Sequence, residues 1–287
     1  MSKFKKENIK VDGVDVVVYT GGRGEPLVFF HGAGTVDGHD FAEPWTEKFK
    51  VIVPYHPGFG ESGDDPTFTL MSDYVMHYLN LFDMMKLDTF NLVGLSLGGY
   101  LAAKFASEHG HRVRKLALIA PAGIHDDKHP MLDFLSVPGE EVPGYLVSDI
   151  QVLLKRLPAK PDLDFIGERY RESATTARLL WEHPLDPKFT RHLKRIKMPT
   201  KIVWGDEDKI IPVQQADTWK KSVPQAEVFT RLFEFSFERR AAFGFVTPEE
   251  QRAVREDVTL ALRAANRRRR RLPFASIHLT ETNDHAG

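Results

Sequence analysis

The run Gly94-Leu95-Ser96-Leu97-Gly98-Gly99 constrains this chain more than any other stretch of its sequence. Phe90 to Val93 before it is a short apolar strand pattern, and Tyr100-Leu101-Ala102-Ala103 after it begins a helical one. A G-x-S-x-G turn between a strand and a helix forces its serine into a strained backbone conformation that lifts Oγ above the sheet edge. Small residues on either side keep such a turn free of clashes. Ser96 is therefore the candidate nucleophile. It also opens a helix, whose N-terminal amides and positive dipole end stabilise an anion. The alternative, a glycine-rich turn carrying an ordinary serine, is disfavoured by the strand before it and the helix after it.

The rhythm around that turn is strand, helix, strand. Asp15 to Tyr19, Pro26 to Phe30, Val51 to Pro54 and Lys115 to Ile119 are further β-branched or aromatic runs. Met71 to Met85 places apolar residues at helical spacing, and Gly99 to His109 reads as a helix stopped at Gly110. This alternation predicts an α/β fold, a mostly parallel central sheet with helices on both faces. From Ile124 to about Met198 the strand patterns stop. Pro-broken helical pieces there, such as Tyr145 to Leu157 and Phe165 to His183, suit an inserted helical cap. Strand rhythm resumes at Thr200 to Trp204, a helix runs through Trp219, and a last strand falls near Glu227 to Phe233. Glu249 to Ala265 is a final helical pattern. The expected organisation is a core over 1–123 and 199–265, a cap over 124–198, and a basic, disordered tail over 266–287.

Charge narrows the function. The 287 residues hold 39 Lys+Arg against 40 Asp+Glu, a net charge of −1, so no overall field draws the chain toward nucleic acid or a membrane. The absence of cysteine excludes disulfides, thiolate metal sites and cysteine nucleophiles, and suits a reducing compartment. The lysines between Met1 and Lys10 are followed by no apolar h-region, and no apolar run approaches the roughly 18 residues of a membrane span. A cytoplasmic protein acting on a small molecule is expected, with no nucleic-acid or membrane partner. Oligomeric state carries no signal.

From about Val11 to Glu227 the chain resembles the α/β-hydrolase family. His31-Gly32-Ala33-Gly34, directly after Pro26 to Phe30, is similar to that family's oxyanion loop, in which the residue after His-Gly donates a backbone amide. The resemblance implies Ala33 as one donor and Leu97, just after Ser96, as the other. Two such donors contribute roughly 3 kcal/mol each to catalysis. It also implies a structural rather than catalytic His31. The loop from His56 through Pro57-Gly58-Phe59-Gly60-Glu61 to Ser62 resembles the family's loop after the fourth strand, giving His56 a packing or pocket role. Val203 to Pro212 resembles the loop that carries the acid, which makes Asp208 the carboxylate that orients the histidine. Asp206 and Glu207 are then solvated neighbours, and Asp126 or Asp127 are weaker rivals. The chemistry implied needs side chains and water, so no metal, nucleotide or flavin cofactor is expected.

The family's histidine belongs one helix and one strand further on, where this chain reads Phe233-Glu234-Phe235-Ser236-Phe237-Glu238-Arg239. No histidine lies between His192 and His278. His278 and His285 sit in the tail, while His183 and His192, in or beside the cap, read as solvated. The third triad member is unknown. Composition changes in the same place, because all 19 lysines lie between Lys3 and Lys221 whereas 11 arginines, Arg267 to Arg271 among them, fall from Arg231 onward. Together these features favour a shifted reading frame over a natural basic tail, although Pro248-Glu249-Glu250 and the helical pattern after it resemble the family's final helix. Three readings stand: a serine hydrolase of a small ester or related acyl substrate, a carbon–carbon bond hydrolase, and a catalytically impaired hydrolase-fold protein. Translation of the coding DNA near Phe233 to Phe245 in the other two frames is expected to give a Gly-His pair followed by acidic and apolar residues. Stop codons, or no such histidine, in both frames would refute the slip.

Overall fold

A computed structural model of the chain describes residues 3–35, 39–133, 135–138, 141–146, 158, 161–180, 185–186 and 188–231. Its strands are β1 (Phe4–Val11), β2 (Val14–Gly21), β3 (Glu25–Phe30), β4 (Phe49–Pro54), β5 (Phe90–Leu95), β6 (Val113–Ile119), β7 (Thr200–Gly205) and β8 (Glu227–Arg231). They form one sheet in the order β1-β2-β4-β3-β5-β6-β7-β8. Strands β3 to β8 pair in parallel, and β1 and β2 add an antiparallel hairpin at one edge. The described helices are α1 (Met71–Met84), α2 (Leu97–Glu108), α3 (Val142–Leu146), α4 (Leu163–Leu180), α5 (Phe189–Leu193) and α6 (Gln215–Ser222). The α/β class expected from the sequence is the one observed.

The pattern of burial explains why the central strands were plain in the sequence. Every residue of β5, Phe-Asn-Leu-Val-Gly-Leu, is buried, as befits a parallel strand covered on both faces. Aromatic contacts carry that burial into the helices: Phe82 of α1 meets Phe90 of β5 at 4.7 Å and Phe105 of α2 at 5.8 Å. The first strand is different. Of Phe-Lys-Lys-Glu-Asn-Ile-Lys-Val only Phe4 and Val11 are buried, so β1 is an edge strand whose charged side chains face water. Asp12 (φ 50°) and Gly13 (φ 92°) close its hairpin with β2, the left-handed pair that a tight two-residue turn requires.

Between β6 and β7 the described part of 124–198 holds helices and loops and no strand. Helix α4 overlaps the expected Phe165 to His183 pattern but starts two residues earlier, residues 181–183 and most of the Tyr145 to Leu157 pattern lie outside the described residues, and so do residues 232–287. No described helix is long and apolar enough to cross a membrane.

Helix α1 buries one polar side chain without compensation. His77 is 2% exposed, and neither ring nitrogen has a hydrogen-bond partner among the described residues. Its ring meets Phe68 edge-on at 5.5 Å, and burial lowers its pKa to about 4, which leaves it neutral at pH 7. Unpaired buried donors and acceptors destabilise, whereas an apolar group of similar shape is neutral or better. His77→Leu is therefore expected to raise stability by about 1–2 kcal/mol and the thermal midpoint by about 3–6 °C at pH 7. A lower midpoint would show that the imidazole is satisfied where it stands.

Candidate active site

Ser96 turns the chain from β5 into α2 in a single residue, at φ 53° and ψ −117°. That is a left-handed region a non-glycine residue enters at a cost of about 1–3 kcal/mol, and only where its surroundings impose it. Three hydrogen bonds impose it here. The Ser96 N–H donates to the Ile119 carbonyl at 2.9 Å, and the Ser96 carbonyl accepts from the N–H groups of Tyr100 (3.1 Å) and Ala122 (3.0 Å). No side chain caps α2, so its first amides are left to whatever occupies the sheet edge.

The glycines of the motif are explained by close approach. A Cβ on Gly98 would stand 2.2 Å from the His31 oxygen and 2.3 Å from that of Phe30, and one on Gly94 would stand 2.3 Å from the Gly98 oxygen. Helix α2 therefore begins directly against the end of β3. This brings the loops after β3 and β5 together, to the point that a Cβ on Gly32 would lie 3.5 Å from that of Ser96. Because β3 sits between β4 and β5, the crevice at the carboxyl ends of β3 and β5 is a topological switch point of the sheet, where ligands of such folds bind. Ala33 follows β3 and Leu97 follows Ser96, one on each side of that crevice.

His31 and His56 are fully occupied. The His56 N–H donates to His31 Nε2 at 2.9 Å, so His31 carries its proton on Nδ1 and donates it to the Gly32 carbonyl at 2.7 Å. His56 Nε2 donates to the His31 carbonyl at 3.0 Å, and Nδ1 accepts from the Tyr78 hydroxyl at 2.5 Å. Each ring is neutral, buried and out of use as a base, in keeping with the structural part expected of His31 and with the packing role for His56. In a trans peptide the C=O and N–H point opposite ways. Holding the Gly32 carbonyl toward His31 thus turns the Ala33 N–H to the other side of the loop.

Asp208 lies three residues beyond β7, two strands from β5 and hence about 10 Å along the same carboxyl edge. Its Oδ1 accepts from the N–H groups of Ile210 and Ile211, both at 2.9 Å, which fixes the carboxylate in its turn. Glu207 is exposed and Asp206 half-buried, its carboxyl pushed up by burial and by Glu207. Of the rival acids, Asp126 accepts from the amides of Lys128 and His129 and thereby closes its own loop, while Asp127 is exposed beside His125 at 3.0 Å. His192 is exposed on α5. His183, His278, His285 and the stretch from Phe233 to Arg239 lie outside the described residues. Among the described residues no group of His, Cys, Asp and Glu is arranged to hold a metal ion. One buried charge went unnoticed in the sequence, Glu172 on α4, which hydrogen-bonds Thr35 two residues after Ala33.

A parallel sheet, a serine in a strained strand-to-helix turn and a switch-point crevice together define a class of protein. The chain belongs to the α/β-hydrolase family: a family model described as alpha/beta hydrolase fold matches residues 25–156. Pimeloyl-[acyl-carrier protein] methyl ester esterase of Legionella pneumophila (strain Lens) is 31% identical over 220 residues, covering 71% of this chain and 84% of that protein. A 2-hydroxy-6-oxo-2,4-heptadienoate hydrolase of Pseudomonas putida is 27% identical over 221 residues, covering 70% of this chain and 79% of that one. A solved structure of a 2-hydroxy-6-oxo-6-phenylhexa-2,4-dienoate hydrolase from a Rhodococcus species shares the fold, with a TM-score of 0.67 at 18% identity, covering 85% of this chain and 95% of that chain.

The two neutral histidines make stability depend on pH. Burial depresses both, His31 well below its ordinary value and His56 to about 4, against about 6.5 in an unfolded chain. The unfolded state then binds more protons than the folded one between about pH 6.5 and 4. Stability is full above that window and falls as pH drops through it, by on the order of 3 kcal/mol for His56, with His77 acting in the same direction. The thermal midpoint is expected to hold steady from pH 8 to 7 and drop progressively from pH 6.5 to 4.5. A flat profile across that range would overturn the neutral assignment.

Proposed function

We propose that this chain is built as a serine hydrolase for a small ester or a related acyl substrate. Ser96 Oγ attacks the acyl carbon, the N–H groups of Ala33 and Leu97 receive the developing oxyanion, the ester C–O bond breaks to release the alcohol, and water then cleaves the acyl-serine to give the acid and free Ser96. Asp208 is the carboxylate that holds an imidazole in the correct tautomer. The reading is carried by the backbone of Ser96, a non-glycine residue pinned in a left-handed turn at the uncapped start of a helix. The methyl ester esterase from Legionella supports the ester as substrate class. The dienoate hydrolase of Pseudomonas putida supports a second reading, hydrolysis of a carbon–carbon bond at the same serine.

The proton carrier is the unassigned part. The sequence holds no histidine between His192 and His278, and His31 and His56 are spent on each other. Loss of a triad base costs on the order of 10⁴–10⁶ in kcat. Turnover of p-nitrophenyl acetate is accordingly expected to be weak, with Ser96 still distinguishable from an ordinary serine. A fluorophosphonate probe should label the folded chain at Ser96 faster than the denatured chain, and label Ser96→Ala not at all. Equal labelling of folded and denatured chains would overturn the nucleophile assignment. Loss of labelling in His278→Ala would give the base to the tail.

A further inference from the structure

We propose that Glu172, on helix α4, is a positioning residue that holds the loop bearing Ala33, so that a helix from the segment between β6 and β7 forms part of the oxyanion site. The inference rests on the reading of Ala33 as an oxyanion donor. Glu172 is 2% exposed. A carboxylate so placed is costly unless its oxygens are saturated with donors. Its Oε1 accepts from the Thr35 N–H at 3.1 Å, the Thr35 hydroxyl at 2.5 Å and the Gly60 N–H at 2.9 Å. Its Oε2 pairs with Arg169 Nη1 at 2.8 Å. Burial pushes the carboxyl up while Thr35, Arg169 and the Gly60 amide pull it down.

Thr35 is gripped at every polar atom. Its carbonyl accepts from Arg169 Nη1, and its hydroxyl also meets Arg169 Nη2 at 3.0 Å and Glu168 at 3.3 Å. Gly60 is held similarly, its N–H by Glu172 and its carbonyl by Arg171. Helix α4 thus binds the loop after β3 and the loop after β4 at residues 35 and 60, while His31 and His56 bind the same two loops to each other at their roots. Ala33 lies between the two clamps. A Cβ on Gly34 would come 3.6 Å from Glu172 Oε2, so the carboxylate stands directly behind the residue that follows Ala33. One pin turns the Gly32–Ala33 peptide and the other stops the loop from swinging away.

Helix α4 has a second attachment that does not involve this loop. Arg178 pairs with Asp64 at 2.7 Å and donates to the Phe68 carbonyl at 3.0 Å. That separates positioning from docking. In Glu172→Ala the Thr35 and Gly60 amides lose their acceptor, whereas Glu172→Gln keeps Oε1 as their acceptor and loses the charge and the Oε2 pairing with Arg169. Arg178→Ala loosens the helix elsewhere.

The test compares phosphonylation of Ser96 in the full-length chain and in these three variants. One oxyanion donor is worth about 10²–10³ in rate, so partial misplacement of Ala33 in Glu172→Ala is expected to lower the limiting rate of labelling by at least tenfold, with the half-saturating probe concentration unchanged. Glu172→Gln should recover to within about threefold, and Arg178→Ala should label at the parent rate. Equal slowing in Glu172→Ala and Arg178→Ala would overturn the positioning role. Backbone hydrogen exchange tests the same clamp without needing a nucleophile. Exchange across residues 31–35 and 56–60 is expected to rise at least tenfold in Glu172→Ala and stay near the parent in Glu172→Gln. Unchanged exchange in Glu172→Ala overturns the proposal even where Ser96 labels normally. Absence of labelling in the folded parent would fail the serine reading alone, leaving the exchange result to decide on Glu172.

Discussion

The approach of helix α2 to the ends of β3 and β5 is the constraint on which the carboxyl edge depends. Any side chain at position 98 would strike the carbonyl oxygens of Phe30 and His31, and any at position 94 would strike that of Gly98. With the helix seated that closely, the chain has one residue in which to pass from strand to helix, and Ser96 adopts φ 53°. The strain of about 1–3 kcal/mol is small beside the burial of all six residues of β5 and the three hydrogen bonds around Ser96. Strand order does the rest. Since β3 and β5 are neighbours in the sheet, the loops that leave them are neighbours too, and Ala33 and Leu97 follow adjacent strand ends.

On that frame sits a layer of buried polar pins. The His31–His56 pair runs on through the Tyr78 hydroxyl into α1, and the Glu172–Thr35–Gly60 set runs into α4. Both act on the loops after β3 and β4. They differ in charge: each neutral imidazole bonds the other residue's backbone, while Glu172 faces Arg169 and a set of N–H and O–H donors. In a low-dielectric interior both kinds of network stabilise strongly when every member is paired and destabilise when one member is lost. In the proposed chemistry, loops held in this way keep the Ala33 amide in place before a substrate arrives, which electrostatic stabilisation of an oxyanion requires.

How much of this was legible follows from how local each signal is. The turn at Ser96 was readable because strand, glycines, serine and helix occupy one short window. The parallel strands were readable because burial on both faces leaves nearly continuous apolar runs such as Leu27-Val28-Phe29-Phe30. β1 was hidden by Lys5, Lys6 and Lys10, although Asp12-Gly13 between Val11 and Val14 is a hairpin signal that could have revealed it. Resemblance made His31 structural, and the geometry supplies the reason, since both its nitrogens are engaged. Glu172 was unreadable. Its partners Thr35 and Gly60 are 137 and 112 residues away along the chain, and nothing in a helical pattern tells a buried glutamate from a solvated one.

Geometry sets what a proton carrier at this site has to span. Arg231, the last residue of β8, pairs with Gly205, the last of β7, so the chain leaves β8 at the same carboxyl edge as Asp208. An imidazole joining Asp208 to Ser96 has to bridge about two strand spacings, some 10 Å, which two hydrogen bonds of about 3 Å, the ring between them and the side chains at either end can cover. In the sequence Arg231 is followed by Leu232, Phe233, Glu234, Phe235 and Ser236, none of them a histidine. A carboxylate, unlike an imidazole, offers no N–H for a second carboxylate to hold, so a glutamate is no substitute for the histidine of a triad. The two halves of the proposed chemistry are therefore written in separate parts of the chain. Polarising a carbonyl needs the backbone laid down before Arg231, and moving a proton needs one side chain encoded after it. In the proposed chemistry a hydrolase fold without that side chain keeps its crevice and its amides and lacks the group that moves the proton.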